Sequence, residues 1–239
     1  MKILSIGNSF SQDAHKYLHD LAKREGVNLK AVNLYIGGCS LRTHYLNMLE
    51  DLAAYNYEYN GEFVGLKASI KQALLSENWD VVTLQQVSTL SGKFETYSPY
   101  IEELAKYVKK YCPHSKIAIH QTWAYAETSV DRITSQGFNN PKEMLSSIIN
   151  AYDNAAKLIC ADGIIPCGQA MMKALDLGIG KIHRDEIHAS FGCGRYLLAL
   201  CWYKYFTKNN IDNNEFNELN ETITREERDI IIKAVNSVL

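Results

Sequence analysis

The chain has 239 residues, of which 46% are hydrophobic and 22% charged; 25 Lys and Arg against 27 Asp and Glu give a formal net charge of −2. An apolar share near one half excludes an intrinsically disordered chain, and the length suits one large domain or two smaller cores. The charge balance excludes a general affinity for nucleic acid or anionic membrane, because the densest basic stretch is only Lys106, Lys109 and Lys110, on the polar face of a predicted helix.

In chain order, KILSI is the first predicted strand, followed by Ala14, Leu18, Leu21 and Ala22 at helical spacing up to Gly26 as a stop. LKAVNLY is a second strand, ended by Gly37 and Gly38. WDVVTLQ is a third, apolar nearly throughout, as a strand covered on both faces requires. Ser98-Pro99 opens a helix carrying Ile101, Leu104, Ala105 and Val108 on one stripe. KIAIHQ is a fourth strand. Asn140-Pro141 with Glu143 has the pattern of a capped helix start, and Leu145, Ile148, Tyr152, Ala155 and Ile159 follow on one face. GIIPC is a short fifth strand, and GRYLLALCWYKYF is apolar almost all round, which predicts a deeply buried helix. Thr224 and Glu227 cap a last helix with Ile231, Ala234, Val235 and Val238 facing inward, after an Asn-rich surface connection, KNNIDNNEFNELNE. Strands alternating with helices predict a three-layer α/β domain around a parallel sheet, one domain over residues 1–239. In such sheets ligands bind beyond the carboxyl ends of the strands.

The apolar run after Lys2 is too short for a signal-peptide core, and no segment reaches the roughly 18 apolar residues of a membrane span. Cys39, Cys112, Cys160, Cys167, Cys193 and Cys201 form no CxxC pair, so reduced thiols, no zinc site and a cytoplasmic location are expected.

Three loops carry candidate chemistry. After strand one, GNSFSQD places Ser9 at the entry to a helix, where amide groups and the helix dipole favour negative charge. On this loop alone Ser9 reads first as a helix cap, with a nucleophile as the alternative. Near the far end, RDEIHASFGCGRYLL sets Asp185 three residues before His188. A serine hydroxyl needs a base to take its proton, and an imidazole base needs a carboxylate to fix its tautomer. Asp185 can serve only if the backbone curves to bring it round to the ring. Gly38 after strand two and Gln86 after strand three fall on the same sheet edge as Ser9. With the Ser9 amide they make an expected oxyanion hole. No GxGxxG or GxxxxGK[ST] phosphate loop is present.

The blocks ILSIGNSFS, NLYIGGCSL, WDVVTLQQVS and DEIH resemble, in order, the four sequence blocks of the SGNH hydrolases, the GDSL-type lipase and esterase superfamily. GNSFS, HQTWAY and RDEIHASFGCGRYLLA resemble a largely uncharacterised bacterial branch of it. The resemblance implies a flavodoxin-like three-layer α/β/α sandwich with a five-stranded parallel sheet. It also implies Ser9 as nucleophile, His188 as base, Asp185 as its orienting acid and Gly38 as an oxyanion donor. Two positions depart from the superfamily pattern. Asn8 stands where the first block usually has Asp, and LQQVS lacks the Asn of the third block. Gln86 is the first choice to replace that Asn, with Gln85 or Ser88 behind it; strand alternation sends Gln85 and Gln86 to opposite sides.

Asn8, Gln85, His120, Gln121 and Trp123 are the expected substrate-lining residues, Trp123 either stacking on a sugar ring or sitting in the core. His15 and His19 have the spacing of a metalloprotease pair, but Lys16 stands where the motif needs Glu, so both are expected at the surface. Tyr55, Tyr57 and Tyr59 alternate like a strand or ribbon and suggest a substrate-facing flap, with a plain exposed loop as the alternative. His183 and Arg184 have no assigned role. The reading is a serine esterase acting through an acyl-enzyme on a small-molecule or carbohydrate ester, with a short acyl or acetyl group, without metal or organic cofactor, nucleic acid or membrane. A catalytically silent carbohydrate-binding domain and an O-acyltransferase are the alternatives.

Overall fold

The computed structural model describes residues 1–239. Its elements run β1 (Lys2–Gly7), α1 (Ser9–His15), α2 (Leu18–Arg24), β2 (Lys30–Tyr35), α3 (Leu41–Leu49), β3 (Tyr55–Tyr59), β4 (Glu62–Ala68), α4 (Ile70–Leu75) and β5 (Val81–Leu84). After a short 3₁₀ turn come α5 (Tyr100–Tyr111), β6 (Lys116–His120), α6 (Val130–Ser135), α7 (Pro141–Leu158), β7 (Gly163–Ile165), α8 (Cys167–Asp176), α9 (Cys193–Thr207) and α10 (Arg225–Asn236). All five predicted strands are present as β1, β2, β5, β6 and β7, and they pair in parallel.

The sheet nevertheless has seven strands, in the order β4-β3-β2-β1-β5-β6-β7. The expected five-stranded sheet is extended at one edge by the antiparallel hairpin β3–β4, which lies beside β2. Tyr55, Tyr57 and Tyr59 therefore belong to a sheet strand and form no flap or loop. Asn60 and Gly61 close the hairpin with φ of 51° and 83°. Two positive φ values are what a tight two-residue hairpin turn needs, and Asn and Gly tolerate them best.

β1 sits at the centre, with β2 on one side and β5 on the other. Gly7 is level with Tyr35, Ile6 with Leu34 and Leu84, and Leu84 with Ile119. The loops after β1, β2, β5 and β6 thus open on one edge, at the place where the chain changes direction across the sheet. That is where the candidate residues were expected to meet.

Helices cover both faces. α1, α2, α8 and α10 all pack on α9, while α3, α4 and α5 pack on one another. α9 buries ten of its fifteen residues, including Leu197, Leu198, Leu200 and Trp202, which accounts for its lack of a polar face. The caps form as the sequence indicates. Asn140 accepts from the Glu143 amide at 3.0 Å. Thr224 and Glu227 make a reciprocal capping box. One cluster of 66 buried apolar residues runs through both layers. All six cysteines are free thiols, five buried and Cys160 exposed. No helix is long and apolar enough to cross a membrane.

Candidate active site

Ser9 is the first residue of α1, directly beyond the central strand. Asn8 caps that helix, its Oδ1 accepting from the Phe10 amide at 3.0 Å. Capping is thus the work of Asn8, which leaves the Ser9 hydroxyl available. That hydroxyl lies 2.9 Å from His188 Nε2. On the other side of the ring, His188 Nδ1 is 2.9 and 3.0 Å from the two Asp185 carboxylate oxygens. A carboxylate only accepts, so Nδ1 carries the proton and Nε2 presents its lone pair to Ser9.

The required backbone curvature is present. His183 and Ala189 form an antiparallel bridge, the Arg184 amide donates to the His188 carbonyl at 2.9 Å, and Glu186 takes φ of 68° at the tip. This tight loop brings Asp185 back onto His188, and the His188 and Ile187 amides also donate to Asp185 Oδ1 at 2.8 and 3.3 Å. Partial burial pushes the Asp185 carboxyl up, but these amides and the imidazole outweigh it and hold the carboxyl below its ordinary value. An ion pair with its carboxylate half exposed is worth at most about 1 kcal/mol. The backbone bridge, rather than the pair, therefore gives the loop its shape. Gly194 lets α9 start against that loop: a Cβ there would stand 2.5 Å from the Ile182 carbonyl oxygen.

Gly38 lies in the turn after β2 with φ of 63°, and a Cβ placed on it would meet nothing within 4 Å. Its amide and that of Ser9 donate to no acceptor within the chain. Asn8 ties the two segments together, its Nδ2 donating to the Cys39 carbonyl at 3.1 Å. This contact explains the departure at position 8. An aspartate has no N–H to offer that carbonyl and would set two oxygens against each other.

Gln86 is placed differently from expectation. Its side chain is fully buried; Nε2 donates to the Thr96 carbonyl and hydroxyl, both at 3.2 Å, and Oε1 accepts from the Leu41 and Val87 amides. Both amide protons are engaged, so Gln86 straps the start of α3 to the loop after β5 and has no donor left for an oxyanion. Gln85 does lie on the opposite side, donating to Asn8 Oδ1 at 2.6 Å and accepting from His120 Nδ1 at 2.9 Å. Ser88 pairs with the Tyr125 hydroxyl at 2.9 Å.

The expected substrate-lining set is buried behind the site instead of lining it. Asn8, Gln85, His120, Gln121 and Trp123 are all at most 1% exposed. They form a supporting layer: His120 orients Gln85, Gln85 orients Asn8, and Gln121 Oε1 accepts from the Gln169 amide at 3.2 Å. Trp123 stacks on Phe10 with centroids 4.1 Å apart and donates to the Ile187 carbonyl at 2.8 Å, one residue from His188. His15, expected at the surface, is buried against Trp202 with Nε2 2.8 Å from Ser5 Oγ. Burial pushes the His15 and His120 imidazoles down to about 3, so both are neutral. His183 is held at the Ala124 carbonyl, 3.2 Å away, and its imidazole is pushed down by burial. Buried Asp13 pairs with the partly exposed Arg184 and Arg195 beside the loop of His188, and of the three only Arg184 stands out in the sequence. Asp13 lies 171 and 182 residues from the two arginines, which leaves no local signal for the cluster.

Residues 2–236 match the family described as a domain of unknown function, DUF4886. The chain belongs to the DUF4886 family. A DUF4886 protein from Bacteroides uniformis has the same fold, with 34% identity and a TM-score of 0.89 over 100% of this chain and 94% of that one. The DUF4886 fold is in turn that of the SGNH and GDSL-type hydrolases. A candidate SGNH hydrolase from Slackia heliotrinireducens aligns at a TM-score of 0.62 and 21% identity, over 85% of this chain and 97% of that one. A variant of an acetyl-xylooligosaccharide esterase from Geobacillus Stearmophilus aligns at 0.54 and 14%, over 85% and 92%. No curated protein matches this DUF4886 sequence.

Proposed function

We propose that this DUF4886 protein is a serine esterase in which Ser9 attacks, His188 is the base and Asp185 orients it. The observation that carries the reading is the unbroken chain Ser9 Oγ, His188 Nε2, His188 Nδ1, Asp185, with each contact at 2.9 to 3.0 Å. Ser9 Oγ bonds to the ester carbonyl carbon as its proton passes to His188 Nε2. The Ser9 and Gly38 amides donate to the resulting oxyanion. His188 returns the proton to the departing alkoxide, and water, activated by the same nitrogen, releases the acid from the acyl-enzyme. These side chains complete the cycle with water as the only co-reactant.

A short acyl group, such as acetyl on a carbohydrate, is the substrate class this reading favours. Support comes from the likeness to an acetyl-xylooligosaccharide esterase. The feature that favours a catalytically silent carbohydrate-binding domain is the altered third block, where Gln86 has no free donor; a wild type inert to fluorophosphonate but binding glycan would favour that reading.

The test is incubation with a fluorophosphonate followed by peptide mass spectrometry. A single adduct on Ser9 is expected, and an unreacted wild type would remove the proposal. Asp185→Asn is expected to keep the fold and slow acetyl-ester turnover about 10⁴-fold, because an amide cannot fix the donor tautomer of His188. An unchanged kcat in that variant would reduce Asp185 to a loop-shaping residue.

A further inference from the structure

Asp13 stands one turn after Ser9 on α1 and is 0% exposed. Its carboxylate takes Arg184 Nη1 at 2.9 and 2.8 Å, Arg195 Nε at 2.8 Å and the Ala189 amide at 3.2 Å. A carboxylate withdrawn from water is costly unless it is paired and hydrogen-bonded, and here every donor is supplied by the chain. Arg184 and Ala189 belong to the base loop, on either side of His188 and Asp185, while Arg195 comes from the first turn of α9. Arg184 Nη1 also donates to the Ala189 carbonyl at 2.5 Å, and its Nε faces Asp185 Oδ2 at 3.9 Å. The Phe191 ring covers both guanidinium groups, 5.0 Å from Arg184 and 4.7 Å from Arg195.

The other hydrogen bonds that fix the base loop come from itself or from the segment after β6: Trp123 to Ile187, the Ala126 amide to Glu186 at 2.8 Å, and His183 to Ala124. Apart from the Ser9–His188 contact, only Asp13 joins the loop by hydrogen bonds to the helix that carries the nucleophile.

We infer that Asp13 is a positioning residue whose carboxylate, clamped by Arg184 and Arg195, sets the separation of Ser9 from His188. The inference rests on the esterase reading for its consequence, but its geometry can be tested apart from turnover. Removing the negative charge leaves two guanidinium groups facing each other around a neutral amide, and the loop bearing His188 moves away from α1. Arg184 holds both Asp13 and the Ala189 carbonyl, whereas Arg195 holds Asp13 alone, so the two arginines have unequal effects on the base.

The experiment compares wild type, Asp13→Asn, Arg184→Lys and Arg195→Lys by crystal structure and by the rate and pH dependence of fluorophosphonate labelling per folded molecule. Expected are a Ser9–His188 separation beyond hydrogen-bond reach in Asp13→Asn, labelling at least tenfold slower, and a displaced pH midpoint. Arg184→Lys should lose more reactivity than Arg195→Lys, and it carries the comparison if Asp13→Asn does not fold. Variants with lower melting temperatures but wild-type separation would overturn the clamp and leave Asp13 a stabilising residue only. A wild type inert to the probe would end the esterase reading, and the crystallographic separations would then decide the clamp alone.

Discussion

Ser9→Ala is expected to lower kcat on a short-chain nitrophenyl ester by about 10⁶-fold, the scale seen when a serine nucleophile is removed from a working triad. Ser9 Oγ is the only atom in this arrangement that both meets the base and stands at a helix start, so no neighbour takes over. His188→Ala should cost about as much, because without Nε2 the hydroxyl keeps its proton. The double variant should be no slower than either single one. Groups that act as a unit fail together, and the residual rate belongs to the Ser9 and Gly38 amides and to binding. Steady-state kinetics on the three variants measure this directly. Multiplying losses would mean that Ser9 and His188 contribute independently, and a Ser9→Ala enzyme with a tenth of the wild-type rate would remove the nucleophile altogether.

A second large effect is expected from acid. His15, His44 and His120 are buried, and desolvation lowers each imidazole from 6.5 to about 3. Each is therefore neutral in the folded chain at pH 5, while in the unfolded chain most copies bind a proton. The unfolded state then holds more protons, so stability is complete above about pH 6.5 and falls as pH drops towards 3. Three such groups remove about 6 kcal/mol between pH 7.5 and 5, comparable with the whole stability of a domain of this size. Glu58 works in the opposite direction. Burial raises its carboxyl, so its contribution is present at low pH and lost as pH rises through its folded value. One carboxyl offsets only part of three imidazoles. Urea unfolding at a series of pH values should show about three protons taken up per molecule near pH 5, and His44→Gln should remove one of them. A midpoint independent of pH between 7.5 and 5 would contradict the assignment.

Four of the five parallel strands were legible because they are buried along nearly their whole length and read as apolar runs interrupted only by Ser5, Asn33 and Thr83; β7, a three-residue edge strand, was legible from its Ile pair between turn residues. The hairpin was not, although Asn60-Gly61 is a strong turn signal. β4 is exposed along all but its last residue, so Phe63, Val64 and Leu66 alternate with nothing that marks an inner face. α3, α4, α6 and α8 also carry no pattern the sequence reading resolves, three of them being nine residues or fewer. At the site, residue types and order were enough to bring Ser9, Gly38, Asp185 and His188 to one edge. What they hid was depth. Gln86, His120 and Trp123 lie at or just beyond strand ends as a substrate-facing residue would, and only the packing of Phe10 and Trp202 and the bonds to Thr96 show that their side chains point inward. His15 is the same case on a helix: a polar residue is tolerated on the buried face because Ser5, itself bonded to Thr83, receives it.

The nucleophile and its base are 179 residues apart. β1 pairs with β2 on one side and with β5, some seventy residues further on, on the other, and the segment that carries His188 follows only after β6 and β7. If the two residues act as proposed, a chain cut before His188 should be unreactive towards esters even where its strands still pair.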